Sequence, residues 1–389
     1  MTGVSTSLAN SSTSHSPGGR SRRAIAFYLP QFHPIPENDK WWGRGFTEWT
    51  NVARAKPQFK GHYQPHLPAD LGFYDLRLPE TRAAQAALAS EYGIYGFCYY
   101  HYWFTGARLL ERPFNEVLNS GQPDFPFCLC WANENWSRRW TGSDVDLLAA
   151  QTYSVEDDRA HIRSLIPAFA DARYIRIDGR PLFIVYRASH LPDPRATTRL
   201  WRQEAQAHGI GELYLARVDN PGEDNVRPEE AGFDAAVEFQ PAWAALGSPK
   251  GRSVWRRLLR SLGLRPEAAT DRHNIFEYRE FVDRMLSRLQ PSYKRFPCVT
   301  PMWDNTARRQ QGAYIFRGST PQLYEHWLES VVRNWQPPSP DENVVFINAW
   351  NEWAEGNHLE PDSRWGRQYL EATRRALQHT IKELDTVSA

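Results

Sequence analysis

Eight short apolar runs alternate with stretches of helical composition, and that alternation restricts the fold more than any other feature of the chain. The runs lie at 24–29, 94–100, 125–131, 181–186, 212–218, 233–239, 297–303 and 343–349. Helices are expected at 78–92, 108–120, 155–171, 194–208, 276–289, 320–335 and 364–383, where good helix formers cluster. Thr320 ahead of Pro321 reads as an N-cap followed by proline at the first helical position. Strands alternating with helices predict a parallel α/β sheet, and eight repeats predict a (β/α)8 TIM barrel. The alternative is an open doubly wound sheet, but no glycine-rich phosphate loop follows the first run. Polar residues gather after each strand and before the next helix, the rim at which barrels keep their sites. The expected organisation is one barrel over 24–380 with long βα loops. A Ser/Thr/Gly-rich disordered tail at 1–23 precedes it, and a surface insertion at 240–274 interrupts it.

Charge narrows the partners. Lys+Arg number 46 and Asp+Glu 45, a formal net charge of +1, which argues against broad electrostatic capture of nucleic acid. The segment at 252–265 is basic and amphipathic; it reads as a surface insertion capable of weak contact with a membrane face or an anionic glycan. No run is long enough for a transmembrane helix, and no apolar core of a signal peptide follows the tail. Cys98, Cys128, Cys130 and Cys298 sit in strand-like runs without Cys-x-x-Cys or zinc spacing. They are expected as reduced core thiols in a cytoplasmic protein that uses no metal and no cofactor.

The last strand carries the densest chemistry. Val344, Val345, Phe346 and Ile347 break into Trp350, Asn351, Glu352, Trp353, Ala354, Glu355, Gly356, Asn357 and His358. A pure core would not spend carboxylates there, because each buried one must find partners or shift its pKa. Glu352 and Glu355, three apart, share a face if the chain turns helically. Two neighbouring carboxylates with different pKa values are what glycoside cleavage requires. The bland alternative is a solvated loop with two surface glutamates. Aromatic residues make up 13% of the chain, with 16 Trp and 17 Tyr, enough to wall a sugar site beyond what a core needs. Past the other strands stand Tyr28 and His33, Glu48 and Trp49, Tyr100 and His101, Trp131, Asn133 and Glu134, and Trp303 and Asp304. With Trp350 and Asn351, these are expected to face one bowl of flat apolar platforms and hydrogen-bonding tips, suited to a glycan.

Four segments in order, FYLPQFHPIPENDKWWGRGFTEWTNV, GFCYYHYWF, WANENW and INAWNEWAEGNHLEP, resemble the WbsX-type family of bacterial proteins, which carry a glycoside hydrolase family 99-like domain. The resemblance spans about residues 24–377. It implies kinship in fold to endo-acting α-mannosidases, whose Glu-Trp-x-Glu-Gly segment matches Glu352 to Gly356 here. By that resemblance Glu355 takes the acid/base role. Glu352 pulls on the sugar's 2-hydroxyl, giving a retaining route through a 1,2-anhydro sugar. Glu48, Tyr100 and His101 become subsite residues. The first-strand motif and Asn133 to Trp136 depart from the hydrolase pattern toward the WbsX-like branch, so mannose specificity does not carry over.

Two further readings stay open. Many members of the family are called glycosyltransferases of O-antigen or capsule loci, although the chain offers only Asp144 and Asp146 as a bare Asp-x-Asp pair. A non-catalytic glycan-binding module is the third.

Overall fold

The computed structural model describes residues 22–137, 147–219, 226–250 and 269–387. Residues 1–21 of the tail expected at 1–23, the segment at 252–265, and Asp144 and Asp146 lie outside the described residues. The last two residues of that expected tail are ordered: Arg22 donates to Asn343 at 3.2 Å and Arg23 opens the first strand, because pairing with the closing strand extends one residue further than the apolar run shows.

The barrel strands are β1 (Arg23–Tyr28), β2 (Ile94–Phe104), β3 (Phe127–Trp131), β4 (Arg180–Val185), β5 (Tyr214–Asp219), β6 (Ala235–Glu238), β7 in two pieces (Arg295–Phe296 and Cys298–Val299) and β8 (Val344–Ile347). Each pairs in parallel with the next from β1 to β6. The first piece of β7 pairs with β6 and the second with β8, which returns to β1 and closes the ring. Pro297 divides β7 because it has no N–H to give to a ladder; its carbonyl still accepts from Phe346 N–H at 2.8 Å. All residues of β1, β3 and β8 are buried, as expected for strands covered on both faces.

Helices α1 (Pro36–Trp42) and α2 (Glu48–Arg54) lie in the long loop after β1. The outer layer is α3 (Pro79–Glu91), α4 (Arg112–Ser120), α5 (Val155–Ala170), α6 (Pro194–Ala207), α7 (Tyr278–Ser287), α8 (Pro321–Asn334) and α9 (Gln368–Val387). Between β5 and β6 the described residues hold one 3-10 turn, Pro228–Ala231. Thr320 caps α8 as expected, its side-chain oxygen accepting from Leu323 N–H at 3.3 Å.

Two helix boundaries differ from expectation because a strand takes the residues expected to begin the helix. β2 overruns the rim and folds back at Thr105 and Gly106, both with positive φ (46° and 85°). That two-residue turn of the I′ kind pairs Ala107–Leu109 antiparallel with β2 and delays the helix expected from 108 until Arg112. Likewise Asn274–Glu277 is extended and pairs in parallel with Tyr314–Arg317, so α7 starts at Tyr278.

Of the segment read as a surface insertion at 240–274, residues 240–250 and 269–274 are described, and 240–250 fold back onto the barrel. Gln240 is buried and its carbonyl accepts from Asn348 Nδ2, while Trp243 and Leu246 turn toward the strand ends. Proline, glycine and polar residues in that stretch read as exposed loop, but two apolar side chains give it a wall to cover.

Candidate active site

Strand geometry decides which side chains reach the mouth of the barrel. Successive residues of a strand point to opposite faces, so alternate ones face the interior and the helix layer. On β2, Tyr100 and Tyr102 line a cavity of about 610 Å³ at the C-terminal ends of the strands. His101 points outward instead, its Nε2 2.9 Å from Nε2 of His161 on α5. Trp103 also points outward, donating to Asp157 at 3.1 Å. The cavity is completed by Trp42, Glu134, Trp136, Tyr186, Trp243, Trp303 and Tyr314, with Arg187, Arg308, Arg309, Glu352 and Glu355 among its polar groups.

Arg308 lies at the centre of the polar floor. Its Nε donates to Glu48 at 2.7 Å, one terminal nitrogen to Glu355 at 2.7 Å and the other to Glu352 at 3.0 Å. Three parts of the chain meet there. Glu48 opens α2 behind Thr47, whose side chain and that of Thr50 form a capping box. Arg308 ends the one-turn helix Asn305–Ala307, which Asp304 caps by accepting from Thr306 N–H at 3.0 Å. Glu352 and Glu355 bracket the single 3-10 turn Trp353–Glu355. Gly356 closes that turn with φ of 53°, and a Cβ there would come within 2.8 Å of the Asp304 carbonyl oxygen. The same approach lets Asp304 N–H donate to the Glu355 carbonyl at 2.7 Å, tying the two loops together.

Burial raises the carboxyl groups of Glu352 and Glu355. Glu352 is pushed up to about 8 by desolvation; Arg308 opposes that, and Glu355 and Glu48 add to it. Glu355 is raised by burial against the pull of Arg308. Burial disfavours the guanidinium charge of Arg308, but its three carboxylate neighbours outweigh this and raise its pKa. One guanidinium shared among neighbouring carboxyl groups offsets their burial only in part, so Glu352 and Glu355 both stay raised.

Of the expected site residues, Glu352, Glu355, Tyr100, Glu134 and Trp303 line the cavity, and Glu48 sits beneath it, bonded to Arg308. The others do not reach it. Tyr28 points outward and donates to Gln85 of α3 at 2.7 Å. His33 is buried with Nδ1 3.0 Å from the Pro30 carbonyl, and burial lowers its pKa to about 4. Trp49 donates to the Tyr74 carbonyl at 2.8 Å and packs on Trp353. His101 and Trp131 both pack around His161 in the helix layer. Asn133 bridges loops, accepting from Arg187 N–H at 2.7 Å and donating to its carbonyl at 2.8 Å. Asn351 does the same to Leu29, extending β1 with a side-chain amide at 2.7 and 3.0 Å. Trp350 is fully buried against Phe97. Asp304 is buried and accepts from His62 Nε2 at 2.5 Å. Glutamates, amides and aromatics past a strand therefore divide between the bowl and the loop scaffold that shapes it.

Arg308, Arg309, Tyr314 and Trp243 were not singled out from sequence. Arg308 and Arg309 do follow the seventh apolar run, so position past a barrel strand was the available signal.

Among the described residues, His66, His358 and Asp362 are the one group whose ligand atoms lie within 4.8 Å of one another. His66 and His358 bond each other, while Asp362 stands 4.0 Å from His358 Nε2. His358 Nδ1 faces the Glu360 carbonyl at 2.9 Å, leaving Nε2 to meet His66 Nδ1 at 3.0 Å, and Tyr63 donates to Asp362 at 3.1 Å. All four cysteines are free and buried. Among the described residues no helix is long and apolar enough to cross a membrane.

Comparison with known proteins agrees with this architecture. Two curated relatives, each called "Uncharacterized protein WxcX", come from two strains of Xanthomonas campestris pv. campestris. Each is 47% identical over 354 residues, covering 91% of this chain and 49% of the relative. The chain thus spans about half the length of the curated relatives it matches. A solved GH99 endo-alpha-mannosidase from Bacteroides thetaiotaomicron superposes with a TM-score of 0.54 at 15% identity, covering 94% of this chain and 99% of that one. A structure titled "Glycoside hydrolase-like protein" gives a TM-score of 0.54 at 15% identity, covering 95% and 97%. At such identity the likeness is one of fold. The family profile described as "Glycosyltransferase WbsX" matches residues 24–373, and the chain belongs to that family, built on a barrel like that of glycoside hydrolase family 99.

Proposed function

We propose that this chain is a carbohydrate-active enzyme that cleaves glycosidic bonds with retention, acting on a bacterial or environmental polysaccharide or oligosaccharide. The observation that carries the reading is the pair Glu352 and Glu355, both lining an aromatic-walled cavity, both with raised pKa, and both held by one guanidinium. Such a pair supplies one proton and accepts another at neutral pH. Glu355, in acid form, gives its proton to the departing glycosidic oxygen. Glu352 acts in its ionised form, which Arg308 favours against burial: its carboxylate takes the proton of the sugar 2-hydroxyl while that oxygen closes on the anomeric carbon. Water then opens the resulting 1,2-anhydro sugar: Glu355 takes the water's proton and Glu352 returns the other to the 2-oxygen. Tyr100, Tyr102, Trp136 and Trp303 supply faces for the sugar rings. The four buried free thiols support a reducing, cytoplasmic compartment.

The test is incubation with defined oligosaccharides, mannans and rhamnose-containing fragments included, with products read by mass spectrometry. Glu355→Gln is expected to lower turnover by about 100-fold or more, since general acid–base catalysis is worth 10²–10⁴. Its fold should remain intact by circular dichroism. Undiminished turnover removes Glu355 from the mechanism.

The family's description favours a second reading, glycosyl transfer in surface-polysaccharide assembly. A sugar nucleotide that raises the melting temperature, together with transfer to an acceptor and no hydrolysis, would select it.

A further inference from the structure

Three arginines line the cavity, and they differ in what holds them. Arg187 pairs with Glu134 at 2.9 Å. Arg308 is held by Glu48, Glu352 and Glu355. Arg309 follows Arg308 on the same turn, its N–H donating to the Asn305 carbonyl at 2.9 Å. Its side chain is half-buried and lines the cavity, and no carboxylate among the described residues lies within ion-pair distance of it. Its charge reaches Glu355, favouring that group's ionised form.

A half-buried arginine that lines the pocket without a carboxylate beside it leaves its guanidinium donors open to a ligand. Its planar fork matches a carboxylate in a bidentate pair. We propose that Arg309 is a specificity residue for an acidic sugar, binding the carboxylate of a hexuronic acid residue next to the bond that is cleaved. This rests on the reading of the cavity as a glycan site. A single unengaged guanidinium matches a single negative charge. A sugar diphosphate carries more charge than Arg309 alone can meet, and the other two arginines of the cavity are already engaged by glutamates. Uronic acids present their charge at C5, beside the ring that aromatic faces such as Trp303 and Tyr314 can hold, so the two modes of recognition act together.

The test uses matched pairs. Oligogalacturonides and oligoglucuronides, and the same compounds after reduction of their carboxyls to primary alcohols, are titrated into the wild-type chain by calorimetry at low and high salt. A UDP-sugar forms a third arm. The acidic member of at least one pair is expected to bind about tenfold or more tightly than its reduced partner, the worth of a charge-assisted hydrogen bond. That preference should shrink with salt. Arg309→Gln should bring the acidic-to-neutral ratio close to one. Equal or preferred binding of the neutral members, binding of no acidic member, stronger binding of the UDP-sugar, or an equal loss for both members in Arg309→Gln each overturns the assignment. An equal loss would leave Arg309 as a charge offset for Glu355. The titration needs no turnover: selective binding without cleavage defeats the hydrolase reading alone, and cleavage of neutral glycans alone defeats only this one.

Discussion

Arg308 is the side chain through which three distant glutamates become one chemical unit. A lysine in its place would bring a point charge without the fork that reaches three carboxylates at once. Arg308→Lys is expected to lower kcat by about 100-fold, the scale of losing a preorganised electrostatic group. It should also move the acidic limb of the pH–rate profile upward, because a cation that lowers both glutamate pKa values is displaced. An unshifted profile would limit Arg308 to a structural role. The same floor predicts a pH dependence of stability. Glu352 rises to about 8 and Glu360 to about 7, both mainly through burial, from an ordinary carboxylate value near 4.5. The folded state therefore binds more protons than the unfolded state between these limits. The contribution of both groups is fully present below about pH 4.5 and is lost as pH rises toward 8. Melting temperature should fall across that window, and Glu352→Gln should flatten the slope; a melting temperature that climbs with pH there would contradict the burial of both groups.

At the scale of elements, the turn Trp353–Glu355 is held from two sides. Glu360 accepts from Trp353 Nε1 at 2.6 Å, from Gln85 of α3 at 2.6 Å and from the Tyr74 hydroxyl at 2.8 Å. Removing it strands three buried donors, each costing 1–3 kcal/mol, so Glu360→Ala is expected to cost about 3 kcal/mol or more in urea unfolding. Gly356→Ala tests the other side. Its left-handed backbone costs a side chain about 1–2 kcal/mol, and the added Cβ would press on Asp304. A drop of about 2 kcal/mol or more, with turnover reduced alongside it, is expected; full activity in a stable Gly356→Ala chain would show that the contact with Asp304 does not position Glu355. Much at this scale was legible beforehand. Apolar runs marked the strands and Thr320 marked its cap, because those signals are local. The missed helix boundaries had other causes: paired positive φ at Thr105 and Gly106, and the pairing of Asn274–Glu277 with Tyr314–Arg317, which no local signal marks.

Across the whole molecule, eight strands, seven of them followed by a helix, and a rim of polar loops could be read from periodicity alone, since burying a strand on both faces leaves a continuous apolar run. The pair Glu352 and Glu355 was equally visible, because its crowd of tryptophans and amides is contiguous in sequence. What only the folded chain decided was direction and distance. Tyr100 and His101 are neighbours with the same apparent claim, yet the two-residue period of a strand sends one into the cavity and the other to His161. Glu48 and Arg308 stand 260 residues apart and touch at 2.7 Å, a contact no local pattern encodes, because it follows from closing the barrel and bringing the loops of its strands to one end.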